Sequence, residues 1–280
     1  MAAIRLDGKV VSAAAVERLK AQVAALPFVP KLVFVRVGED PASAYYVRSK
    51  GRMAGRVGML SETHLLPVTT TQGELESLIL ALNDDDEVDG ILVQLPLPAG
   101  LDPQAVLDLI DPDKDVDGLH PVNVGRLWTG RPALAPATPR GLLALLDHYA
   151  VAIEGRHVVI VGRSNLVGRP AAALFQHRNA TVTMAHSRTR DLAEVTRQGD
   201  ILVAAVGRAR VITPSMVKPG AAVLDVGMTR EESGIVGDVD PRVEEVAGHL
   251  TPMPGGTGLM TVAMVIDTTV EAARRRRGSG

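Results

Sequence analysis

The chain has 280 residues, of which 46% are apolar, carries a formal charge of -2 and contains no cysteine. That length accommodates two domains or one large one with a substantial core, and the apolar content excludes a mainly disordered chain. Near-neutral charge gives no bulk electrostatic case for nucleic acid or an anionic membrane, so a small-molecule partner is favoured; the lack of cysteine excludes disulfides, thiolate metal sites and a cysteine nucleophile.

The opening residues, MAAIRLDGKVVSAAAVERLK, lack the apolar segment of a secretory signal. No uninterrupted apolar run of about 18 residues is present to span a bilayer, so a cytoplasmic protein is expected. KLVFVRVG (31–38) reads as a strand, followed by a helix through SAYYVRSK (43–50). On that helix Ser43, Tyr46, Lys50, Met53 and Val57 follow the 3, 4, 3, 4 spacing of one stripe, flanked by Val47 and Ala54. Lys50 alone carries charge there, whereas Arg48, Arg52 and Arg56 repeat every four on another face, as solvated charge ordinarily does. A lysine in such a stripe either snorkels out along its stem or is kept for chemistry.

SETHLLPV (61–68), GELESLILALNDD (73–85) and GILVQLPLP (90–98) add a strand, a helix and a strand, the order of a parallel sheet. Gln94 falls at the C-terminal end of the last strand, where α/β proteins bind ligands, and is well placed to meet Lys50. DPDKDVDG (111–118) opens like a calcium loop, with Asp113, Asp115, Asp117 and Gly118 in D-x-D-x-D-G. The twelfth position is Val124, where a bidentate Glu is needed, and Pro121 interrupts the loop, so no metal is expected. The remaining reading gives one or two of these carboxylates a cleft, where an acid binds paired N–H donors of a heterocycle, and leaves Asp111 and Asp113 in a solvated turn.

After the proline-bearing RPALAPATP (131–139) a helix, GLLALLDHYA, restarts the alternation. HVVIVG (157–162), a helix from about Val167, TVTMAH (181–186), DILVAAVG (200–207) and AAVLDVG (221–227) form a second doubly wound unit. In VVIVGRSNLVGRP, Gly162 ends a buried strand and Gly168 opens a helix, which allows close phosphate approach to free N–H groups. The spacing is G-x-S-x-x-x-G, a departure from G-x-G-x-x-G. The following strand end, MAHSRTR (184–190), has no acid before Asp191 to hold a ribose 2'-hydroxyl. Ser187 and Arg188, with Arg163 in the glycine turn, suit a 2'-phosphate instead, which favours NADP. The last segment, LMTVAMVIDTTVEAARR, is expected to be a helix that returns to the first domain, and RRRRGSG (274–280) a frayed, solvated end.

With these residues assembled, the sequence resembles the bifunctional methylenetetrahydrofolate dehydrogenase/cyclohydrolase family over nearly its whole length. The matching stretches are VGEDPASAYYVRSK, VQLPLP, DPDKDVDGLHPVNVGRL, ATPRG, VVIVGRSNLVGRP, TVTMAHSRT and TPMPGGTGLMT. The resemblance implies an α/β fold of two domains with a cleft between them, a substrate domain (1–139 plus 259–280) and a Rossmann-like NADP-binding domain (140–258). It implies NADP-dependent oxidation of 5,10-methylenetetrahydrofolate to 5,10-methenyltetrahydrofolate, then hydrolysis to 10-formyltetrahydrofolate, by a homodimer in one-carbon metabolism and purine biosynthesis.

By the same resemblance Tyr46 and Lys50 form the shared active site, Gln94 contacts the lysine, Asp117 binds the pterin and Ser43 lies close by. Asp115, Leu95, Pro96 and Gly256 are expected on the substrate side. Gly162, Arg163, Ser164, Gly168, His186, Ser187 and Arg188, with Thr138 and Thr261, are expected on the cofactor side. Three departures stand out: Ala137 where the family has cysteine, Thr257 where it has valine, and Leu259 where it has proline. Rival readings are another NADP dehydrogenase of two domains, or a noncatalytic NADP-binding module.

Overall fold

The structure is a computed structural model that describes residues 3–232 and 234–278. Its elements begin with β1 (Ile4–Arg5), α1 (Gly8–Ala24), β2 (Lys31–Val37), α2 (Pro41–Arg56), β3 (Leu60–Leu66), α3 (Gln72–Asp84), β4 (Gly90–Val93), α4 (Pro103–Leu109) and α5 (Pro121–Trp128). They continue with α6 (Ala137–His148), β5 (His157–Val161), α7 (Gly168–His177), β6 (Thr181–Ala185), α8 (Leu192–Thr196), β7 (Ile201–Ala204), β8 (Ala222–Asp225), β9 (Thr229–Glu231), β10 (Gly234–Val236), β11 (His249–Leu250) and α9 (Thr257–Arg277). The chain divides into two compact units, residues 14–137 with 262–280 and residues 1–13 with 138–261.

The first unit holds a three-stranded sheet in the order β3-β2-β4, all parallel. Leu32, Val33, Phe34 and Val35 of β2 are fully buried, which is why the central strand reads as an unbroken apolar run. Val33 and Val35 pack with Leu75 and Ile79 of α3 and with Ile91 and Val93 of β4. The chain steps from β2 out to β3 and then back across to β4, so strand order reverses beside β2. Ligands of such sheets bind at the carboxyl ends of the strands on either side of that reversal.

Basic side chains close this unit in places the sequence reading passed over or discounted. Lys114, fully buried in the acidic DPDKDVDG stretch, donates to the carbonyls of Leu82, Asn83 and Asp85 at 2.9, 2.6 and 2.7 Å. It satisfies carbonyls that the end of α3 leaves without helical partners. The terminal arginines do not form the frayed end expected of them. Asp89, buried just before β4, accepts from Arg277 Nε and Nη2 at 2.7 and 3.0 Å, while Arg276 Nη1 donates to the Val88 carbonyl at 2.6 Å. An ionised carboxylate in that position requires cations, and α9 delivers them. Ser279 and Gly280 lie outside the described residues.

The second unit holds a six-stranded sheet, β1-β11-β8-β7-β5-β6, with every pairing parallel. Alternate residues of β5 serve its two faces: Val158 and Ile160 pack with Leu142, Leu146, Ala171 and Phe175, and Val159 and Val161 with Ile212, Val217 and Val243. Strand order reverses between β5 and β7. The short β1 pairs with β11, so residues 1–13 group with this unit and not, as the expected boundary of 1–139 would have it, with the three-stranded one. Helix α6 starts at Ala137, ahead of GLLALLDHYA, and Ala137 itself is buried, so the small residue is accommodated as packing.

Candidate active site

Helix α2 follows β2 and starts where Asp40 accepts from the Ser43 backbone N–H at 2.7 Å, with Pro41 at the first helical position. That cap fixes the phase of the stripe. Ser43, Val47, Lys50 and Ala54 are buried, and the three arginines face solvent as expected. The expected stripe is turned slightly: Val47 and Ala54 occupy its centre, while Tyr46 and Met53 are half-buried at its margin. Tyr46 thereby stands half-buried one turn from Lys50.

Lys50 is only 8% exposed, and its Nζ donates to Gln94 Oε1 at 3.2 Å. Gln94 lies directly after β4, and its Nε2 donates to the Leu95 carbonyl at 2.8 Å, which turns the amide oxygen toward the lysine. Lys50, on the helix that follows β2, and Gln94, the residue after β4, are thus carried by the segments that leave the two strands beside the order reversal. Leu95 and Pro96 continue the same segment, with Leu95 half-buried and Pro96 exposed.

The acidic stretch runs alongside β4, with Ile91 bridged to Asp115 and Ile91 N–H donating to the Lys114 carbonyl at 2.8 Å. Two residues on, Asp117 reaches the strand's C-terminal end. Burial raises its pKa and lowers that of Lys50, and the attraction between the two opposes both shifts. The four acids of the motif separate by role. Asp111 and Asp113 stay in a turn, with Asp113 paired to Arg126 at 3.1 Å. Asp115 is buried, accepts from His120 N–H and Asn123 Nδ2 at 2.8 and 3.0 Å, and is pushed up to about 6 by its burial. Its oxygen is committed to the loop that presents Asp117. Among the described residues no cluster of three or more His, Cys, Asp or Glu side chains forms a metal site.

In the six-stranded unit, Gly162 has φ +133°, and a Cβ there would stand 2.2 Å from the Ala205 carbonyl oxygen. A Cβ on Gly168 would stand 2.2 Å from the Gly162 carbonyl oxygen. Both glycines are thus required for the turn between β5 and α7, whose Val167 N–H donates to Ser164 Oγ at 3.1 Å. Val161 pairs with Ala185, which sets the turn carrying Arg163 and Ser164 beside the turn after β6. In that second turn His186 Nδ1 accepts from Arg188 N–H at 3.1 Å, and Ser187 and Arg188 are exposed. Thr138 and Thr261 hydroxyls share a 2.9 Å hydrogen bond. Gly256 packs against Pro252 O, and the exposed Leu259 stands in the first turn of α9. Thr257 is buried, and its hydroxyl donates to the Asp225 carbonyl at 2.8 Å. Gly162→Ala is expected to weaken NADP binding at least tenfold, read by cofactor fluorescence titration; unchanged affinity would show that the turn is no part of the cofactor site.

A doubly wound α/β protein with a dinucleotide-type glycine turn in one unit and a buried lysine at the strand reversal of the other is the class these features define. Residues 6–117 match the family described as tetrahydrofolate dehydrogenase/cyclohydrolase, catalytic domain, and residues 136–277 match its NAD(P)-binding domain. The chain belongs to the tetrahydrofolate dehydrogenase/cyclohydrolase family. It is 54% identical to the bifunctional protein FolD of Acidiphilium cryptum, over 99% of this chain and 100% of that one. It is 51% identical to that of Thermus thermophilus, over 99% and 98%. Among solved structures, bifunctional FolD of Campylobacter jejuni superposes with a TM-score of 0.95 at 44% identity, covering 98% of this chain and 100% of that one. The Trypanosoma brucei enzyme complexed with NADP cofactor and inhibitor gives 0.92 at 36% identity, with both chains fully covered.

Lys114, Asp89, Asp225 and Asp238 escaped the sequence reading. Only the paired DVG and GDVD stretches, with glycines beside the acids, carried a local signal for the last two.

Proposed function

We propose that the chain oxidises 5,10-methylenetetrahydrofolate to 5,10-methenyltetrahydrofolate with NADP and hydrolyses that product to 10-formyltetrahydrofolate. The observation that carries this reading is the buried Lys50, bonded to Gln94 beside Asp117, at the strand reversal of the unit that matches the catalytic domain. Asp117, Tyr46 and Ser43 bind the folate ring system, the carboxylate taking paired N–H donors of the pterin. Residues 14–137 with 262–280 carry the folate chemistry, and residues 1–13 with 138–261 hold the cofactor.

NADP fits the residues present. Gly162 and Gly168 leave a cradle that any side chain would fill, and Arg163, Ser164, Ser187 and Arg188 supply donors and charge for a 2'-phosphate. When bound it supplies the two-electron oxidant. The chain's own task in that step is to hold the folate ring in place.

Hydrolysis asks more of Lys50. A water oxygen bonds to the amidinium-like carbon and gives its proton to the neutral amine, which burial and the adjacent substrate cation both favour. The ammonium then returns a proton to the ring nitrogen as the carbon–nitrogen bond opens, the carbinol loses its own proton, and the formyl group is left on the second nitrogen. Gln94 holds the amine in position throughout.

Turnover of 5,10-methylenetetrahydrofolate tests the reading, with reduced cofactor and methenyl product followed separately with NADP and with NAD. NADP-preferring reduction, with enzyme-accelerated loss of methenyl product, is expected. Cofactor binding without folate turnover would favour the noncatalytic module instead. We assign the chain to a homodimer through β3, an edge strand with Leu60 and Leu65 exposed. A cytoplasmic location accords with the described residues, none of whose helices is long and apolar enough to cross a membrane.

A further inference from the structure

Two buried carboxylates beneath the six-stranded sheet's C-terminal edge have no part in the chemistry above. Asp238, fully buried, accepts three consecutive backbone N–H groups from the loop after β7: Val206 at 2.6 Å, Gly207 at 3.0 Å and Arg208 at 2.7 Å. Asp225, at the end of β8, accepts from Gly227, Asp238 and Val239 N–H at 2.9, 2.9 and 3.0 Å. The two segments interlock through their glycines. A Cβ on Gly227 would stand 2.0 Å from Asp238 Oδ1, and one on Gly237 would stand 1.9 Å from Asp225 Oδ2. Each acid thus occupies the space its partner's glycine leaves open. Asp225 is held in turn by Thr251 Oγ1, which accepts its N–H at 2.7 Å, and by Thr257 at the start of α9.

The loop held this way borders the place where strand order reverses. Ala205, the residue after β7, donates to the Val161 carbonyl at 2.8 Å and presents its own carbonyl to Gly162. A dinucleotide lies across such a reversal, with the 2'-phosphate end over β5 and β6 and its reacting end over the strands beyond. Three successive N–H groups drawn toward one carboxylate give the loop a single conformation, with no side chain needed on its outer surface.

We infer that Asp238, backed by Asp225, is the positioning residue for the reacting half of the cofactor, setting the loop of residues 206–208 against which that half is bound. This rests on the NADP-dependent reading above. Asp238→Asn keeps the size but turns an amide N–H toward backbone N–H groups, so the loop must shift.

The two activities give a readout that a general loss of structure cannot imitate, because the proposed hydrolysis residues lie in the other unit and that step needs no NADP. In the full chain, Asp238→Asn is expected to raise the KM for NADP at least tenfold while methenyl hydrolysis stays within about twofold of the parent. An unchanged KM, or equal loss of both activities in a variant that stays folded by circular dichroism, overturns the inference. Should that variant fail to accumulate folded, Asp238→Ser, which keeps an acceptor and admits water, is judged by the same two readouts. Absence of NADP-dependent turnover in the parent itself would instead sink the functional reading.

Discussion

Lys50→Met is expected to lose methenyl hydrolysis by roughly two to four orders of magnitude while keeping part of its hydride-transfer rate. The methionine fills the same buried space between Ser43, Val47 and Ala54 on α2, so folate positioning is largely retained. On the proposed mechanism, what disappears is the group that takes a proton from water and returns it to the ring nitrogen. Gln94 remains, but an amide does not exchange protons at these pH values. Because burial holds the lysine below its ordinary value of 10.5, parent hydrolysis should rise with pH to a midpoint under that value. The variant's residual rate should lack this rise. Wild-type hydrolysis in Lys50→Met would remove the lysine from the mechanism. Lys50→Arg should not rescue the activity, since a guanidinium stays charged.

The second large effect concerns stability. Arg277→Ala should cost the three-stranded unit about 3–5 kcal/mol, the loss typical of breaking a buried ion pair. The alternative is a surface pair worth about 0–1 kcal/mol. Burial decides between them: the Asp89 side chain is 0% exposed, and Arg277 is its bidentate partner. Arg277 also donates to the Glu87 carbonyl at 2.8 Å and lies 4.8 Å from the Phe28 ring centroid. Arg276 stays 3.5 Å from the carboxylate and softens the loss. The only tryptophan, Trp128, lies in this unit, so urea denaturation followed by its fluorescence reports the right transition. Asp89→Asn should shrink the effect of Arg277→Ala in a double-mutant cycle; an undiminished effect would assign the cost to the arginine's other contacts.

Sequence periodicity carried the reading far where burial and spacing coincide. The stripe on α2 exposed Lys50 as an anomaly, the apolar runs of β2 and β5 marked buried strands, and Gly162 and Gly168 marked the tight turn between β5 and α7. It failed where a local pattern has a distant cause. A run of arginines looks the same whether solvated or aimed at a buried acid, and Asp89 lies 188 residues from Arg277. The two residues of β1 are too few for any period, though they add a strand to the second sheet. Lys114 sat among acids that suggested a surface loop, while the carbonyls it serves belong to α3. Asp225 passed as part of the strand run AAVLDVG and Asp238 drew no reading, because a carboxylate gathering backbone N–H groups leaves no trace in side-chain periodicity.

The place of α9 in the three-stranded unit also bears on synthesis. Residues 14–137 emerge from the ribosome long before residues 262–280, which complete the same unit, and the whole stretch 138–261 is made in between. At about 5–20 residues per second, the 188-residue separation of Asp89 and Arg277 corresponds to roughly 10–40 s. For that interval the nascent first segment holds a carboxylate without its cations and an apolar surface without its last helix. The second unit, by contrast, has all of its residues once position 261 is out. The later-made half of this protein is therefore the one able to fold first.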